Sequence, residues 1–323
     1  MENSFVTLGM FIIDEFTFED EDGRPTGQFL APQIGGGGTY AAIGARIWLP
    51  PNQVGMIVDR GHDFPTSIEG KLLEYGPEMW LFRDQPHHHT TRANNSYKGE
   101  HRGFEYITPR IRLTPKDLEG TKLEKPKVLH FICSPSRALS ILSEIEGAWK
   151  PITIFEPIPD RCVPEELPAL KDVLRPNAEE ALSLLSLPLP PSRESIELAA
   201  DKFLEIGVGQ DRTGWVIIRS GPLGLYMKTQ MTKGAWVDAY WTTEDKHKII
   251  DVTGAGNSFL GGLAAGIVLS SALHATVSAS FVIEQEGLPV VTFTPTEAWN
   301  GDQPSRRLHA LRERHTKKVN SPS

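Results

Sequence analysis

Apolar positions along the chain gather into short continuous runs, and stretches of small residues at helical spacing lie between them. Phe5–Ile13 is one such run, interrupted by a single glycine, and Val54–Val58, Val128–Cys133, Ile152–Phe155 and Trp215–Arg219 are others. Runs without alternation are the pattern of parallel strands buried on both faces. Thr39–Ala45, Ser136–Glu146, Phe259–Leu269 and Ala275–Glu284 predict helices. Strands alternating with helices predict an α/β fold built on a mostly parallel sheet with right-handed crossovers. Two segments read differently. Phe16–Leu30, turning at Glu19–Gly23, and Thr90–Ile107, turning at Asn94-Asn95 and Lys98-Gly99, alternate polar and apolar positions and predict paired strands outside the main sheet. Thr114–Leu123 reads as a polar helix or turn, and the prolines from Pro151 to Pro168 as a rigid loop. Asn300–Ser323 reads as a polar tail, basic from Arg306 to Lys318 and expected as a solvated helix with a frayed end.

Composition adds limits. With 39% hydrophobic and 23% charged residues the chain is of ordinary globular type. A net charge of −8 argues against a nucleic-acid surface, which needs clustered Lys and Arg. No apolar run approaches the ~20 residues that cross a bilayer, and Met1–Thr7 lacks a basic start with an apolar core. The expectation is a cytoplasmic protein with no membrane partner, whose Cys133 and Cys162 are reduced thiols. His87-His88-His89 reads as a polar loop, because adjacent residues on a strand point to opposite faces.

Candidate chemistry concentrates in Ile250–Gly262. A β-like Lys248-Ile249-Ile250 is followed by Thr253-Gly254-Ala255-Gly256-Asn257 and then by the apolar helix. Glycines at a helix start permit φ > 0 and leave backbone N–H groups uncovered, where the helix dipole also favours an anion. Phosphate is the expected one. Spacing alone leaves open a plain strand-to-helix turn with tight glycine packing.

Asp251-x-Thr253-Gly254-Ala255-Gly256, followed by a polar residue, Phe259 and the Gly261-Gly262 pair, resembles the signature of the ribokinase, or PfkB-like carbohydrate kinase, family. The resemblance implies a three-layer α/β/α fold spanning residues 1–300, a β lid from residues 15–31 and 90–110, and a separate basic tail at 301–323. It implies an ATP- and Mg²⁺-dependent kinase acting on a hydroxymethyl group of a sugar, nucleoside or related molecule. Gly254, Ala255 and Gly256 would form the anion hole for the transferring phosphoryl group. The residue after Gly256 is an Asp general base in the family; here it is Asn257, as in the fungal Mak32-like branch. An amide accepts no proton at neutral pH. The expectations are therefore a slow kinase or, alternatively, an impaired pseudokinase acting as a nucleotide- or metabolite-binding regulatory or scaffold protein, or a pocket turned to another reaction.

Further site residues follow from the same resemblance. Gly9 to Asp14 has the spacing that ends the family's first strand in a substrate-binding Asp. Gly36 and Gly37, within Gly35–Gly38, would let the acceptor approach the backbone, and Tyr40 stands where an Asn is usual and would offer an aromatic face. Arg92 would reach into the pocket from the lid. Where the family has Asp-x-Asn near substrate and phosphate, this chain has Glu156-Pro157. In Val173–Ala181 the Asn-x-x-Glu spacing directs Asn177 and Glu180 toward nucleotide phosphates and Mg²⁺, with Glu180 as metal ligand; read without the family, the pair is an N-cap with an acid in the first turn. Gly221 and Gly224 resemble the turn that approaches ATP, and Arg219, in place of a Thr, would pair with phosphates or obstruct the older geometry. Thr253 would face the nucleotide, and Asp251 would support the turn or a monovalent cation. Lid strands that pair between subunits would give a homodimer.

Overall fold

In the computed structural model, residues 3–99, 101–158, 161–166, 176–208, 214–269 and 271–320 are described. Five parallel strands form the central sheet in the order β5-β4-β1-β8-β9. These are β1 (Phe5–Thr7), β4 (Val54–Gly61), β5 (Trp80–Gln85), β8 (Val128–Cys133) and β9 (Ile152–Pro157). Successive residues feed two separate cores. Phe5, Met56 and Val128 join the cluster with Ala41, Leu260 and Phe281, whereas Val6, Ile57 and Leu129 join that with Ala138, Leu182 and Phe203. A sheet covered on both faces has no solvated side, and that explains runs without alternation.

On one face lie α1 (Gly37–Arg46), α6 (Ala255–Val268) and α7 (Leu273–Val282); on the other, α3 (Pro135–Ser143), α4 (Ala178–Leu184) and α5 (Arg193–Ile206). α2 (Thr66–Leu73) lies between β4 and β5. A β-carbon on Gly261 would stand 1.9 Å from the Ala41 carbonyl oxygen, and one on Gly44 would stand 2.1 Å from that of Ser258. The small residues of both helices thus serve backbone-to-backbone packing of α1 on α6. A three-stranded antiparallel sheet, β10 (Val216–Arg219), β11 (Leu225–Lys228) and β12 (Ala235–Val237), follows in the chain, and Asn177 bridges Arg219 in parallel.

The segments expected to form a lid contribute a second, four-stranded sheet, the lid sheet, in the order β3-β2-β6-β7, made of β2 (Ile12–Glu19), β3 (Gln33–Gly35, beyond the expected bound at residue 31), β6 (Arg92–Lys98) and β7 (His101–Tyr106). β2 pairs with β6 in parallel, so the two distant segments share one sheet.

Three expectations need correction. Phe5–Ile13 is not one strand: β1 ends at Thr7, and the chain passes into the lid strand at Ile12. Phe11, Ile12 and Ile13 are all buried, so apolar continuity does not mark the change of sheet. Gly9 permits the passage, since a β-carbon there would lie 2.6 Å from Gly38 Cα. Lys248-Ile249-Ile250 is no strand either; a 3₁₀ segment, Thr243–Lys248, precedes a turn in which Ile250 is exposed. Finally, the tail forms α8 (Pro304–Asn320), and Arg307, Leu308 and Leu311 are buried against the core. Arg307 stacks 3.7 Å from the Phe281 ring centroid and pairs with Glu284 and Asp302. The carboxyl end of the loop expected at Pro151–Pro168, and Val173–Arg175, include residues outside those described.

Candidate active site

The site lies where β2, β9, β10, α1 and α6 meet. Gly254 caps α6 with φ +75 and ψ −6, a left-handed conformation that disfavours a side chain. A β-carbon there would also lie 2.3 Å from the ring of Tyr40. Tyr40 is 4% exposed, and its ring supports the turn; the aromatic face expected to serve a ligand is already covered. Burial, with Asp14 and Asp251 nearby, holds its phenol protonated well above the usual range. The Thr253 N–H donates to Asp251 Oδ1 at 2.9 Å, so Asp251 does support the turn. Beyond Gly254 the N–H groups of Gly256 and Asn257 lie in the helical turn that lacks intrahelical acceptors, whereas that of Ala255, expected in the anion hole, already donates to the Val252 carbonyl at 3.1 Å.

Asp14 stands on β2 facing the same region. A β-carbon on Gly35 would lie 1.8 Å from its Oδ2, which places the carboxylate directly over the glycine run. One on Gly37 would lie 2.9 Å from Asn257 Nδ2, so the run also borders the helix start, while Gly36 turns the chain with φ +92. Asp14 Oδ1 is buried with no hydrogen-bond partner, and burial raises its pKa to about 6, opposed by Asn95 and Arg102 of the lid. Arg102 also reaches Asn95 Oδ1 at 3.1 Å and Thr253 Oγ1 at 3.4 Å, joining lid to turn. Neither Asn95 nor Arg102 was expected in the site; Asn94-Asn95, expected at a turn, lies inside β6, and Arg102 lies in β7.

Asn257 is committed. Its Nδ2 donates to Glu156 Oε2 at 2.5 Å. The other oxygen, Oε1, accepts from Arg219 Nη1 and Nη2, each at 3.0 Å, while Nη1 also donates to the Gly256 carbonyl at 2.8 Å. Glu156 and Arg219 are 9% and 8% exposed. Beneath them His130 is fully buried at the β8 centre, its Nδ1 2.9 Å from Thr7 Oγ1 and its Nε2 unpartnered, 4.0 Å from Glu156 Oε2. Burial foremost, and then Arg219, push its pKa down to about 3, so the imidazole is neutral. No sequence signal marked His130, because a lone His in an apolar run reads as core.

Asn177 and Glu180 form a reciprocal capping box: the Glu180 N–H donates to Asn177 Oδ1 at 2.9 Å, and the Asn177 N–H to Glu180 Oε2 at 2.8 Å. That same Oε2 is 3.8 Å from Arg219 Nη2. Burial raises the Glu180 pKa to about 7, with Arg219 opposing. A divalent cation fits this set poorly, since its intended carboxylate already caps a helix and faces a guanidinium. Among the described residues no three His, Cys, Asp or Glu side chains group as metal ligands.

The other expected residues divide. Gly221 and Gly224 close a tight turn, with the Ser220 N–H donating to the Gly224 carbonyl at 2.7 Å and open space around Gly221. Arg92 does not offer a free guanidinium to the pocket; it pairs with Glu15 at 2.8 Å and Asp63 at 3.2 Å. No helix among the described residues is long and apolar enough to cross a membrane.

Comparison with known proteins matches this arrangement to a family. Residues 135–289 match the pfkB family carbohydrate kinase pattern. The chain is 34% identical to the Schizosaccharomyces pombe protein C16C9.01c, over 94% of this chain and 91% of that one. It is 31% identical to protein MAK32 of Saccharomyces cerevisiae, over 92% of this chain and 88% of that one. The chain belongs to the PfkB carbohydrate kinase family. Within it, the chain stands with the Mak32-like proteins. Solved PfkB-type structures share the fold: ribokinase from Arabidopsis thaliana complexed with ribose and ATP superposes with a TM-score of 0.67 at 18% identity, covering 96% of this chain and 99% of that one. A putative ribokinase II from E. coli in complex with ATP and Mg²⁺ gives 0.64 at 19% identity, covering 98% of this chain and 100% of that one. The three-layer α/β/α ribokinase-like architecture is thus established.

Proposed function

We propose that this PfkB-family protein binds a hydroxyl-bearing small molecule, a sugar or nucleoside, at Asp14 and the phosphates of a nucleotide such as ATP at the Gly254 turn, and that phosphoryl transfer between them is slow. The observation that carries the reading is Asn257. It borders Gly37 beside the acceptor region, yet its amide is donated to Glu156 and takes no proton. Asp14 supports the acceptor side, because a buried carboxylate oxygen without a partner is satisfied by a ligand hydroxyl. The left-handed Gly254 at the start of a helix of 14 residues supports the phosphate side. Loss of a general base costs roughly 10²- to 10⁴-fold, while positioning and charge stabilisation carry the remainder of phosphoryl transfer.

Calorimetric titration with ATP and with a non-hydrolysable analogue, followed by ADP release across a panel of sugars and nucleosides, tests this. Saturable binding with slow, acceptor-dependent ADP release is the expected result; no binding at millimolar nucleotide would sink it. The closed Asn257–Glu156–Arg219 network favours a second reading, a nucleotide- or metabolite-sensing regulatory protein. Binding of nucleotide with no ADP formed on any acceptor would select that one.

A further inference from the structure

Arg219 sits between two buried carboxylates, Glu156 and Glu180. Its side chain leaves the end of β10, is 8% exposed, and meets three acceptors from three other segments. Glu156 ends β9, Gly256 opens α6, and Glu180 belongs to the first turn of α4; the distances are 3.0, 2.8 and 3.8 Å. Burial foremost, and the Glu156 charge after it, raise the Glu180 pKa. Two buried acids therefore face one internal cation. A guanidinium has five N–H donors and no acceptor, and it never deprotonates in a protein. Here Nη1 has two partners, Nη2 reaches Glu156, and Nε has none. A divalent ion between the same carboxylates would stand against a fixed positive charge and would need oxygen ligands that Arg219 already holds.

We propose that Arg219 replaces the divalent cation in this protein: the Glu156–Glu180 region takes up no Mg²⁺ or Mn²⁺, and a phosphate-bearing ligand at the Gly254 turn binds without metal. The guanidinium balances the acids as a built-in cation of fixed position. The phosphate-ligand half of the proposal rests on the function proposed above; the metal half does not.

Mn²⁺ alone is the first probe, followed by calorimetry and by the free-ion electron paramagnetic resonance signal. The wild type is expected to take up no Mn²⁺ at millimolar concentration and to show no thermal shift. Arg219→Met exposes two uncompensated carboxylates and is expected to gain Mn²⁺ affinity by roughly tenfold or more, with a rise in melting temperature on adding the ion. Glu180→Gln in that background should abolish the gain. Arg219→Lys keeps the charge and should exclude Mn²⁺ as the wild type does, which keeps the proposal open to refutation if Arg219→Met fails to fold. Saturable Mn²⁺ uptake by the wild type, or by Arg219→Lys, overturns it. In the second arm, a non-hydrolysable ATP analogue is titrated into the wild type in EDTA and in Mg²⁺. Affinities within about threefold are expected, whereas a tenfold or greater strengthening by Mg²⁺ overturns the proposal. Failure of the analogue to bind in either buffer refutes the phosphate-ligand half together with the proposed function, and the Mn²⁺ result still decides the metal half.

Discussion

Asn257→Asp puts a second carboxylate where an amide now donates to Glu156 Oε2 at 2.5 Å. Two ionised carboxylates about 3 Å apart at an effective dielectric of about 20 repel by about 5–6 kcal/mol. Arg219 reaches only the far oxygen of Glu156, Oε1, so it offsets part of this. The pair should keep one proton, donated across the gap the amide now spans, and titrate as a unit with one pKa strongly raised. A carboxyl with a raised folded pKa costs nothing below its unfolded value of about 4. Its cost grows as pH rises from there to the folded pKa, and is constant above it. A shift of two to three units corresponds to about 3–4 kcal/mol at full development. Urea unfolding of wild type and variant at about pH 4.5, 6 and 8 measures it: similar stabilities at the low end, and a deficit that widens to several kcal/mol at the high end. A deficit that stays the same from low to high pH would refute the reasoning, because it would mean that residue 257 and Glu156 do not share a proton. The same variant gains a base only where the shared proton is lost. Its ADP release with a bound acceptor should therefore rise with pH more steeply than that of the wild type.

Burial lifts Asp14 to about 6, so acceptor hydroxyls that donate to the ionised carboxylate should bind more tightly as pH rises from about 5 to about 7 and level off above. Calorimetry on wild type and Asp14→Asn reads this, and equal pH dependence in both would argue against Asp14 as the acceptor contact. Arg307→Ala leaves Glu284 without its cation and Asp302 with only the exposed Arg306, and removes the stacking on Phe281. A loss of about 3–5 kcal/mol is expected by chemical denaturation. A loss under about 1 kcal/mol would mean that α8 is no part of the core.

How much of this was legible in the sequence depends on the range over which each feature is determined. Asn177 and Glu180 make a capping box because a helix start needs acceptors for its first N–H groups, a demand met within four residues. Gly254 is required by its own φ, and the apolar strands by burial on both faces of the sheet. Such features are local, and Asp251–Gly262 together with the strand-helix alternation pointed correctly to a PfkB-type fold. Tyr40 and Arg92 were expected in the pocket because nothing local tells a ligand contact from a packing or ion-pair contact. Their partners, the Gly254 turn and the acids Glu15 and Asp63, lie far away in the chain.

The sequence by itself determined the α/β class, the glycine turn at a helix start and the absence of an Asp at position 257. Only the tertiary structure decided what occupies the centre of the site. Glu156 meets Asn257 across 101 residues and Arg219 across 63, and the Glu156 and Arg219 charges interact because β9 and β10 end, and α6 begins, at one point inside a low-dielectric interior. Charge interactions fall with distance in space and not along the chain, so the pairing of this cation with these acids is a property of the folded sheet.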